Sequence, residues 1–264
     1  MSSEGSGLWK LGAETAREGY GLFIGNTLST MILAIGSIII ARLLGSEGYG
    51  LYSLAFVIPS ILVLFTGLGV DQALIKYVSE HLSRGSYSHI RRLFSASLLF
   101  KLSVGISAAA LVYFFSDFLA STILNRPYMG YLLRVSCLLI LFQALHTLCS
   151  SLFVGLGRAS VVGALATFQA VVKVSLIISL LVLGFGIWGA VLGHVSGFMA
   201  SSLVGLAAGF ILLRRLSGDL PQDFPRMQVI KPLIRYGLPL YASTLFIVAV
   251  QQYNNLVLAK FVSN

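Results

Sequence analysis

The sequence predicts an all-α polytopic membrane protein with about seven transmembrane helices, on the strength of its composition and its hydropathy pattern. Of its 264 residues, 57% are hydrophobic and only 10% are charged, and the mean hydropathy is +0.90. A soluble domain has about 25% charged residues, so this chain carries too few charges to solvate a globular surface. Seven apolar runs approach the roughly 20 residues that a helix needs to cross a bilayer. They cover residues 20–41, 51–70, 94–115, 131–154, 161–183, 188–212 and 237–261.

Basic residues are distributed unequally between the two sides of these predicted spans. The side that holds the amino terminus carries Lys10, Arg17, Lys76, Arg84, Arg91, Arg92, Arg158, Arg214, Arg215, Arg226, Lys231 and Arg235. The opposite side carries only Arg42, Arg126, Arg134 and Lys260. Because Lys and Arg accumulate in cytoplasmic loops, we expect a multi-pass protein of the cell (plasma) membrane with a cytoplasmic amino terminus.

The net charge of +9 does not indicate a nucleic-acid partner. Nucleic-acid binding requires a basic face on a soluble module, whereas here the cations lie in short loops between apolar runs. The first apolar run is also longer than the 7–15-residue apolar core of a signal peptide, so we expect it to remain as the first transmembrane helix.

The polar segment at 71–92 separates the second and third apolar runs. Leu74, Val78 and Leu82 recur in it at helical spacing, so we expect the second helix to continue into an amphipathic stretch on the membrane surface. The Ser-Arg-Gly sequence at 83–85 should then turn the chain. A Gly-x-Gly-x-x-Gly pattern, Gly184 to Gly189, lies between two predicted spans, and there it predicts a tight hairpin rather than a dinucleotide site.

A short internal similarity suggests a repeat, a common feature of transporters. Residues 41–46 read Ala-Arg-Leu-Leu-Gly-Ser and residues 259–264 read Ala-Lys-Phe-Val-Ser-Asn. Matching them superposes the first helix on the seventh. The predicted organisation is a cytoplasmic amino-terminal segment at 1–19, a six-helix transmembrane lobe at 20–213, a cytoplasmic linker at 214–236, and the first helix of a second lobe at 237–264.

Catalysis, metal binding and disulfide formation are poorly supported by the sequence. No close acidic pair or His/Asp cluster lies outside the membrane, although metal-dependent catalysis needs converging carboxylates. Cys137 and Cys149 would lie roughly 18 Å apart on one helix, which is too far for a disulfide. We therefore expect a protein that is not an enzyme and that holds no metal or cofactor.

Four histidines divide between two environments. His81 and His89 lie in the polar cytoplasmic segment, where we expect them to be solvated. His146 and His194 lie within predicted spans. For these two, interhelical hydrogen bonds are the favoured expectation, and a functional role is the alternative.

Basic and amide side chains within the spans are the candidate substrate-binding residues, because polar groups in a bilayer usually face a bundle interior or a wet cavity. Lys173 lies midway through the fifth run, four residues after Gln169, so the two share a helical face. Lys101 either snorkels to the inner interface or faces a cavity. Asn26 belongs to a polar patch on the first helix. Cations suit phosphate and amides suit sugar hydroxyls, although the amides could instead hold helices together.

Three stretches resemble a known transporter family. Residues 41–52, Ala-Arg-Leu-Leu-Gly-Ser-Glu-Gly-Tyr-Gly-Leu-Tyr, resemble the signature that joins the first two helices of polysaccharide-unit flippases. Residues 67–78 and 155–158 also fit. These flippases share a superfamily with the multidrug and toxin extrusion proteins. The resemblance implies two six-helix lobes around a central cavity that opens alternately to each side, and it implies that Lys173, Lys101 and Arg42 are positions that could bind the phosphates of a lipid carrier. Arg42 could instead anchor the first helix at the outer interface.

The resemblance implies a transporter that flips polyprenyl-phosphate-linked oligosaccharides from the cytoplasmic to the outer leaflet during polysaccharide or glycoconjugate biosynthesis. Its partners would be the lipid-linked oligosaccharide and membrane lipids. Because the chain carries one lobe and one further helix, a second-half polypeptide or a homodimer would be needed for alternating access. The alternatives are a cation-coupled multidrug exporter of the same fold, which the lack of a carboxylate in the middle of any span disfavours, and a non-transporting scaffold in a glycan assembly complex.

Overall fold

The structure, a computed structural model, describes residues 2–216, 230–243 and 246, with side chains from Gly12 onward. The helices run in chain order as α1 Ser2–Ala55, α2 Val57–Gly67, α3 Val70–Ser83, α4 Tyr87–Phe114, α5 Ser116–Thr122, α6 Gly130–Ser136, α7 Leu138–Gly155, α8 Ala159–Val182 and α9 Gly186–Leu216, with a 3₁₀ turn at Pro127–Met129. Residues 230–243 are also helical. The described residues contain no strand, and the predicted all-α class is confirmed.

Five stretches of the described chain are long and apolar enough to cross a membrane. They are Gly12–Gly67, Tyr87–Phe114, Pro127–Gly155, Ala159–Val182 and Gly186–Leu216. The first contains two predicted runs, 20–41 and 51–70, which are separated at Gly45, where φ is 71° and the backbone leaves the helical region. The prediction of a polytopic helical membrane protein is therefore confirmed. Most of the seventh predicted run and all of residues 259–264, the second half of the suggested repeat, lie outside the described residues.

Close contact between α1 and α8 depends on small residues. A side chain at Gly25 would overlap the Gly163 backbone, and one at Gly36 would come within 2.5 Å of Val174. The Thr167 hydroxyl donates a 3.0 Å hydrogen bond to the Gly25 carbonyl. Because lipid tails are as apolar as leucine, such close backbone approach is a principal source of helix association in membranes. The two helices therefore form a tightly packed pair.

The second predicted helix does not continue into the polar segment, so that expectation is wrong. It ends at Gly67, and Leu68 (φ 40°) and Gly69 (φ 78°) adopt left-handed backbone conformations before α3 begins. Leu74 and Val78 of α3 are fully buried in a cluster with residues of α4, α7 and α9. The helical spacing of Leu74 and Val78 correctly predicted a helix, but the apolar face of α3 packs inside the lobe rather than on lipid.

Several turns agree with the sequence and two helix breaks were missed. Gly85 (φ 67°) follows α3, and Gly184 (φ 86°) lies between α8 and α9, so the predicted turn and hairpin are confirmed. The run at 131–154 divides between α6 and α7 at Cys137. The short α5 was not foreseen because its seven residues are too few to show a helical period in the sequence.

The core consists of two main apolar clusters at different levels of the lobe. One joins α1, α2, α4, α6, α7, α8 and α9 and includes Ile40, Leu132 and Ile177. The other lies around α3 and includes Leu74 and Leu148. The amino-terminal segment 1–19 is helical from Ser2 and continuous with the first span, and α9 extends to Leu216.

Candidate functional site

Lys173 lies at a close contact between α8 and α9. A side chain at Gly197 of α9 would come within 2.6 Å of the Lys173 Cβ, and one at Gly193 within 2.7 Å of the Ile177 backbone nitrogen. Because Gly193 and Gly197 have no side chain, the aliphatic part of Lys173 lies directly against α9. Lys173 is half-buried, and within residues 12–216 and 230–243 no carboxylate forms an ion pair with it. A cation is thus held inside a transmembrane lobe without local neutralisation.

Gln169 shares the α8 face of Lys173, as its spacing predicted. Its backbone oxygen lies 3.2 Å from the position that a Gly197 side chain would take, so both residues face the same point on α9. Gln169 is 6% exposed. The pair therefore brings one positive charge and one amide to the same side of the helix.

An aromatic cluster lies beside Lys173 and was not foreseen from the sequence. His194 Nδ1 of α9 and the Tyr52 hydroxyl of α1 form a 2.8 Å hydrogen bond. The ring of Phe56 lies 4.0 Å from that of His194, and the ring of Phe198 lies 5.9 Å from it. Tyr52 and Phe56 are four residues apart, as are His194 and Phe198, so helical spacing of aromatic residues was the available signal.

Both histidines within the spans form interhelical hydrogen bonds, as predicted. Besides the bond between His194 and Tyr52, His146 Nδ1 of α7 lies 3.0 Å from the Ser201 hydroxyl of α9. Ser201 in turn donates to the Leu165 carbonyl of α8 at 3.1 Å. These bonds join α1, α7, α8 and α9 around the Lys173 region, and they hold its aromatic neighbours in place.

Lys101 does not snorkel to the interface, and that expectation is wrong. It is 1% exposed, and its Nζ donates to Asp71 Oδ2 at 2.7 Å and to the Thr147 hydroxyl at 3.1 Å. The ion pair joins α4 to the start of α3 and satisfies the ammonium inside the lobe. Lys101 therefore differs from Lys173, because its charge is already neutralised by a carboxylate.

Asn26 and Arg42 lie away from the Lys173 region. Both are exposed. The α1 contacts of Gly25 with Gly163 and of Gly36 with Val174 place Asn26 about 14 Å along the helix axis from the level of Lys173. Arg42 lies near the end of the first span, three residues before the Gly45 break. Of the five predicted site residues, the structure brings only Lys173 and Gln169 together, and substrate binding by any of them stays a prediction.

Of the two histidines outside the spans, only His81 departs from the expectation that both are solvated. His89 is exposed, but the His81 ring stacks on it with centroids 5.0 Å apart and an interplanar angle of 11°. His81 Nδ1 is buried without a hydrogen-bond partner in the described structure. Burial, with help from the nearby His89, lowers the pKa of His81 below its ordinary value of 6.5.

Within the part of the chain that the structure describes, no three His, Cys, Asp or Glu side chains converge on a point that could hold a metal ion. Cys137 and Cys149 are buried and free.

Comparisons with known proteins agree on one family and one fold. The family profile described as "polysaccharide biosynthesis protein" matches residues 16–264. Stage V sporulation protein B of Bacillus subtilis (strain 168) is 26% identical over 188 residues, which are 69% of this chain and 36% of that protein.

Solved structures of transporters share the fold of this chain. A MOP superfamily transporter from Pyrococcus furiosus Vc1 (DSM3638) superposes with a TM-score of 0.70 at 20% identity, over 92% of this chain and 55% of its own. A MATE transporter in complex with MaD3S gives a TM-score of 0.75 at 20% identity, over 94% and 56%. The chain thus spans about a third of the sporulation protein and about half of these transporters.

Proposed function

Because this chain belongs to the polysaccharide biosynthesis protein family, we propose that it forms part of a flippase for lipid-linked oligosaccharides. The flippase moves polyprenyl-phosphate-linked glycan units from the cytoplasmic to the outer leaflet of the plasma membrane, and it supplies polysaccharide or glycoconjugate biosynthesis. The amino terminus lies in the cytoplasm, in keeping with the distribution of basic residues.

The observation that carries this proposal is the unneutralised cation at the contact of α8 and α9. An ammonium in a water-poor site interacts with phosphate much more strongly than it does in bulk water, and Lys173 has no carboxylate that competes for it among the described residues. Gln169 on the same face offers an amide to sugar hydroxyls. A half-buried cation beside an amide fits an anionic, hydroxyl-rich substrate better than a cationic drug.

Alternating access requires a second wall for this site. We propose that residues 20–213 form one lobe, that 214–236 link it to a following segment, and that 237–264 begin the second lobe. A second lobe completes the cavity. The fold likeness, which covers slightly more than half of each transporter chain, supports this organisation.

The proposal is tested by flipping in proteoliposomes that contain the purified protein and a fluorescent polyprenyl-diphosphate oligosaccharide. An impermeant quencher reports how much label has crossed the bilayer. Lys173→Ala should slow flipping by at least about tenfold, because a hydrogen bond to a charged group contributes about 1.5–3 kcal/mol. Lys173→Arg keeps the charge and should retain most of the activity.

The matched control is Arg215→Ala, which removes an exposed cation at the end of α9, far along the helix from Gly197. Normal flipping by Lys173→Ala, with normal insertion, would contradict the role of Lys173. Loss of activity in the control as well would show that total charge, and not this site, governs transport.

Cation-coupled multidrug export remains a second candidate because MATE transporters share the fold. Among the described residues, the carboxylate nearest to the interior of the spans is Asp71, and it is paired with Lys101. Asp71 is therefore less available to bind a coupling proton or sodium ion. Export of a cationic dye driven by a proton or sodium gradient, together with no movement of the labelled oligosaccharide, would favour this candidate. A scaffold would move neither compound.

A further inference from the structure

A second cationic site lies at the contact between α3 and the helical segment 230–243. A pocket of about 560 Å³ is lined by Tyr77 of α3 and by Lys231, Pro232, Arg235 and Tyr236 of the later segment. The Tyr77 and Tyr236 rings meet edge to face with centroids 5.8 Å apart. Lys76 Nζ stands over the Tyr236 ring, 3.8 Å from its centroid, and adds a third cation next to the pocket without lining it.

The packing beneath the pocket holds its two walls together. Leu233 is 1% exposed and belongs to the apolar cluster around α3. Gly237 and Gly69 approach so closely that a side chain on either would overlap the other's backbone. The Tyr241 hydroxyl also donates a 2.8 Å hydrogen bond to the Leu64 carbonyl of α2. The pocket is therefore built by a fixed contact between two segments that are far apart in sequence.

Among the residues that the structure describes, the charges that line this pocket are positive. None of the five lining residues is acidic. The carboxylate of Glu80, one turn after Lys76 on α3, is paired with Arg84 at 2.8 Å. Within the described part of the chain, Lys76, Lys231 and Arg235 form no ion pair. Lys231 and Arg235 line this concave surface and Lys76 lies next to it, so the three cations produce a positive potential that favours an anionic ligand.

The position of the pocket along the chain places it at a membrane surface. The candidate span Gly12–Gly67 ends three residues before α3 begins, and the next span begins with α4 at Tyr87. Tyrosines with basic neighbours are typical of the interface between headgroups and hydrocarbon. All three cations also belong to the side with the excess of Lys and Arg. The pocket therefore opens at the level of the headgroups of the cytoplasmic leaflet.

We propose that Lys231 and Arg235, framed by Tyr77 and Tyr236, bind the phosphate group of an anionic membrane lipid in the cytoplasmic leaflet, and that Lys76 adds positive charge beside them. The two cations on 230–243 are four residues apart and thus share one helical face, while the ammonium of Lys76 lies over the Tyr236 ring. A lipid phosphate held there lies at the contact between the first lobe and the segment that follows it. This site is distinct from the Lys173 region and does not depend on which substrate the protein moves.

Two lipid classes carry this phosphate chemistry, an anionic phospholipid and a polyprenyl diphosphate. Native mass spectrometry of the purified full chain in a neutral detergent counts the lipids that remain bound. The probes are phosphatidylglycerol, phosphatidylcholine, polyprenyl diphosphate and inorganic phosphate, each titrated separately. We expect at least one of the two anionic lipids to bind, with a preference of at least about tenfold over phosphatidylcholine, since each cation near an anionic surface contributes about fivefold.

The test variant is Lys76→Gln, Lys231→Gln and Arg235→Gln combined, which should lose that preference. The matched control, Arg91→Gln, Arg214→Gln and Arg215→Gln combined, removes three charges from the same predicted side without touching the pocket, and it should bind as the wild type does. Retention of phosphatidylglycerol alone assigns a structural phospholipid, whereas retention of polyprenyl diphosphate alone assigns a carrier lipid.

Three outcomes would overturn the proposal. Equal binding of phosphatidylcholine and the anionic lipids would show that the negative charge of the lipid does not determine binding. If the test and control variants lost the preference for anionic lipid equally, the binding site would not be this pocket. Binding of inorganic phosphate as tight as that of the lipids would make the ligand a soluble anion. Because the measurement needs no transport, failure of the flippase proposal leaves its result intact.

Discussion

Lys101 shows how a charged side chain is held inside the lobe. Its ammonium contacts Asp71 Oδ2 at 2.7 Å and the Thr147 hydroxyl at 3.1 Å, while the other carboxylate oxygen, Asp71 Oδ1, is buried without a partner in the described structure. Removing two charges from water is costly, so such a pair contributes little net stability compared with apolar residues of the same size. Breaking it leaves one charge buried and uncompensated, which is far more costly.

The pair predicts non-additive effects on stability. Lys101→Met should lower the free energy of unfolding by about 3 kcal/mol, near the lower end of the range for buried pairs, because the Asp71 side chain keeps 23% exposure. The double variant Asp71→Leu with Lys101→Met should recover most of that loss. Unfolding of the purified protein in detergent measures both values.

A surface ion pair supplies the comparison for Lys101. Arg84 and Glu80 lie 2.8 Å apart with side chains 65% and 36% exposed, so Arg84→Met should cost less than about 1 kcal/mol. Additive losses in the double variant of the buried pair would show that Lys101 and Asp71 do not interact as the structure indicates.

His81 predicts a pH dependence of stability near the carboxyl end of α3. Burial and the neighbouring His89 lower its pKa below 6.5 in the folded protein, and Arg84 acts in the same direction while Glu80 opposes it. The unfolded chain then binds this proton more readily than the fold does. Stability should be highest above about pH 6.5, the ordinary histidine pKa, and should fall as the pH drops through the lowered value.

Thermal unfolding midpoints between pH 7.5 and 5 check this dependence. His81→Gln should flatten the acid side of the profile, whereas a substitution of the exposed His89 should flatten it less. A profile unchanged by His81→Gln would assign the acid sensitivity to other groups.

Close helix contacts are the feature that decides packing at the scale of the elements. Gly25 and Gly163 bring α1 and α8 together, and Gly193 and Gly197 do the same for α8 and α9. In each case the absence of a side chain permits the approach, and the neighbouring residues then gain contacts that they could not make at a wider spacing. The Lys173 region depends on the second of these contacts, since its stem occupies the space beside Gly197.

Gly25→Ala should destabilise the protein by about 1–3 kcal/mol, because the added methyl overlaps the Gly163 backbone and forces the helices apart. The matched control is Gly19→Ala on the same helix, where no atom lies within 4 Å of the added carbon. That control should be neutral or slightly stabilising, since alanine has the higher helix propensity. Equal unfolding midpoints for the two variants would contradict the close contact.

The lobe as a whole exposes many large apolar side chains, as a membrane protein must. Phe23, Ile35, Phe114 and Val182 are each more than half exposed, and in a bilayer they face lipid or a neighbouring lobe. Asn26 and Thr30 lie among such residues on α1, and both are exposed. In the organisation proposed above, this polar patch faces the second lobe rather than lipid, because polar groups in contact with lipid are costly.

Labelling of single cysteines tests the proposed orientation of the molecule. Ser83→Cys at the end of α3 should react with an impermeant maleimide only after the membrane is opened, and Glu47→Cys, beyond the first span, should react on intact cells. The native Cys137 and Cys149 are 3% and 0% exposed, so the background should be low. Reaction of both variants from the same side would contradict the orientation.

Hydropathy was sufficient to predict the helical class, the five apolar stretches that could cross a membrane and the hairpin turns, because crossing a bilayer imposes a length and an apolar composition that are local properties of the chain. Charge counting predicted an orientation for the same reason, since each loop contributes independently. The spacing of Gln169 and Lys173 likewise predicted their common face from helical geometry alone.

Contacts between distant segments could not be predicted in this way. The partner of Lys101 lies 30 residues away, and Tyr52 is separated from His194 by 142 residues. Nothing in either local sequence distinguishes a lysine paired with a carboxylate from one left unpaired, such as Lys173. That difference arises only when α3 and α4 pack together and close the distance between their charges, because an ion pair depends on the separation of two atoms and hydropathy depends on the residues of a single helix.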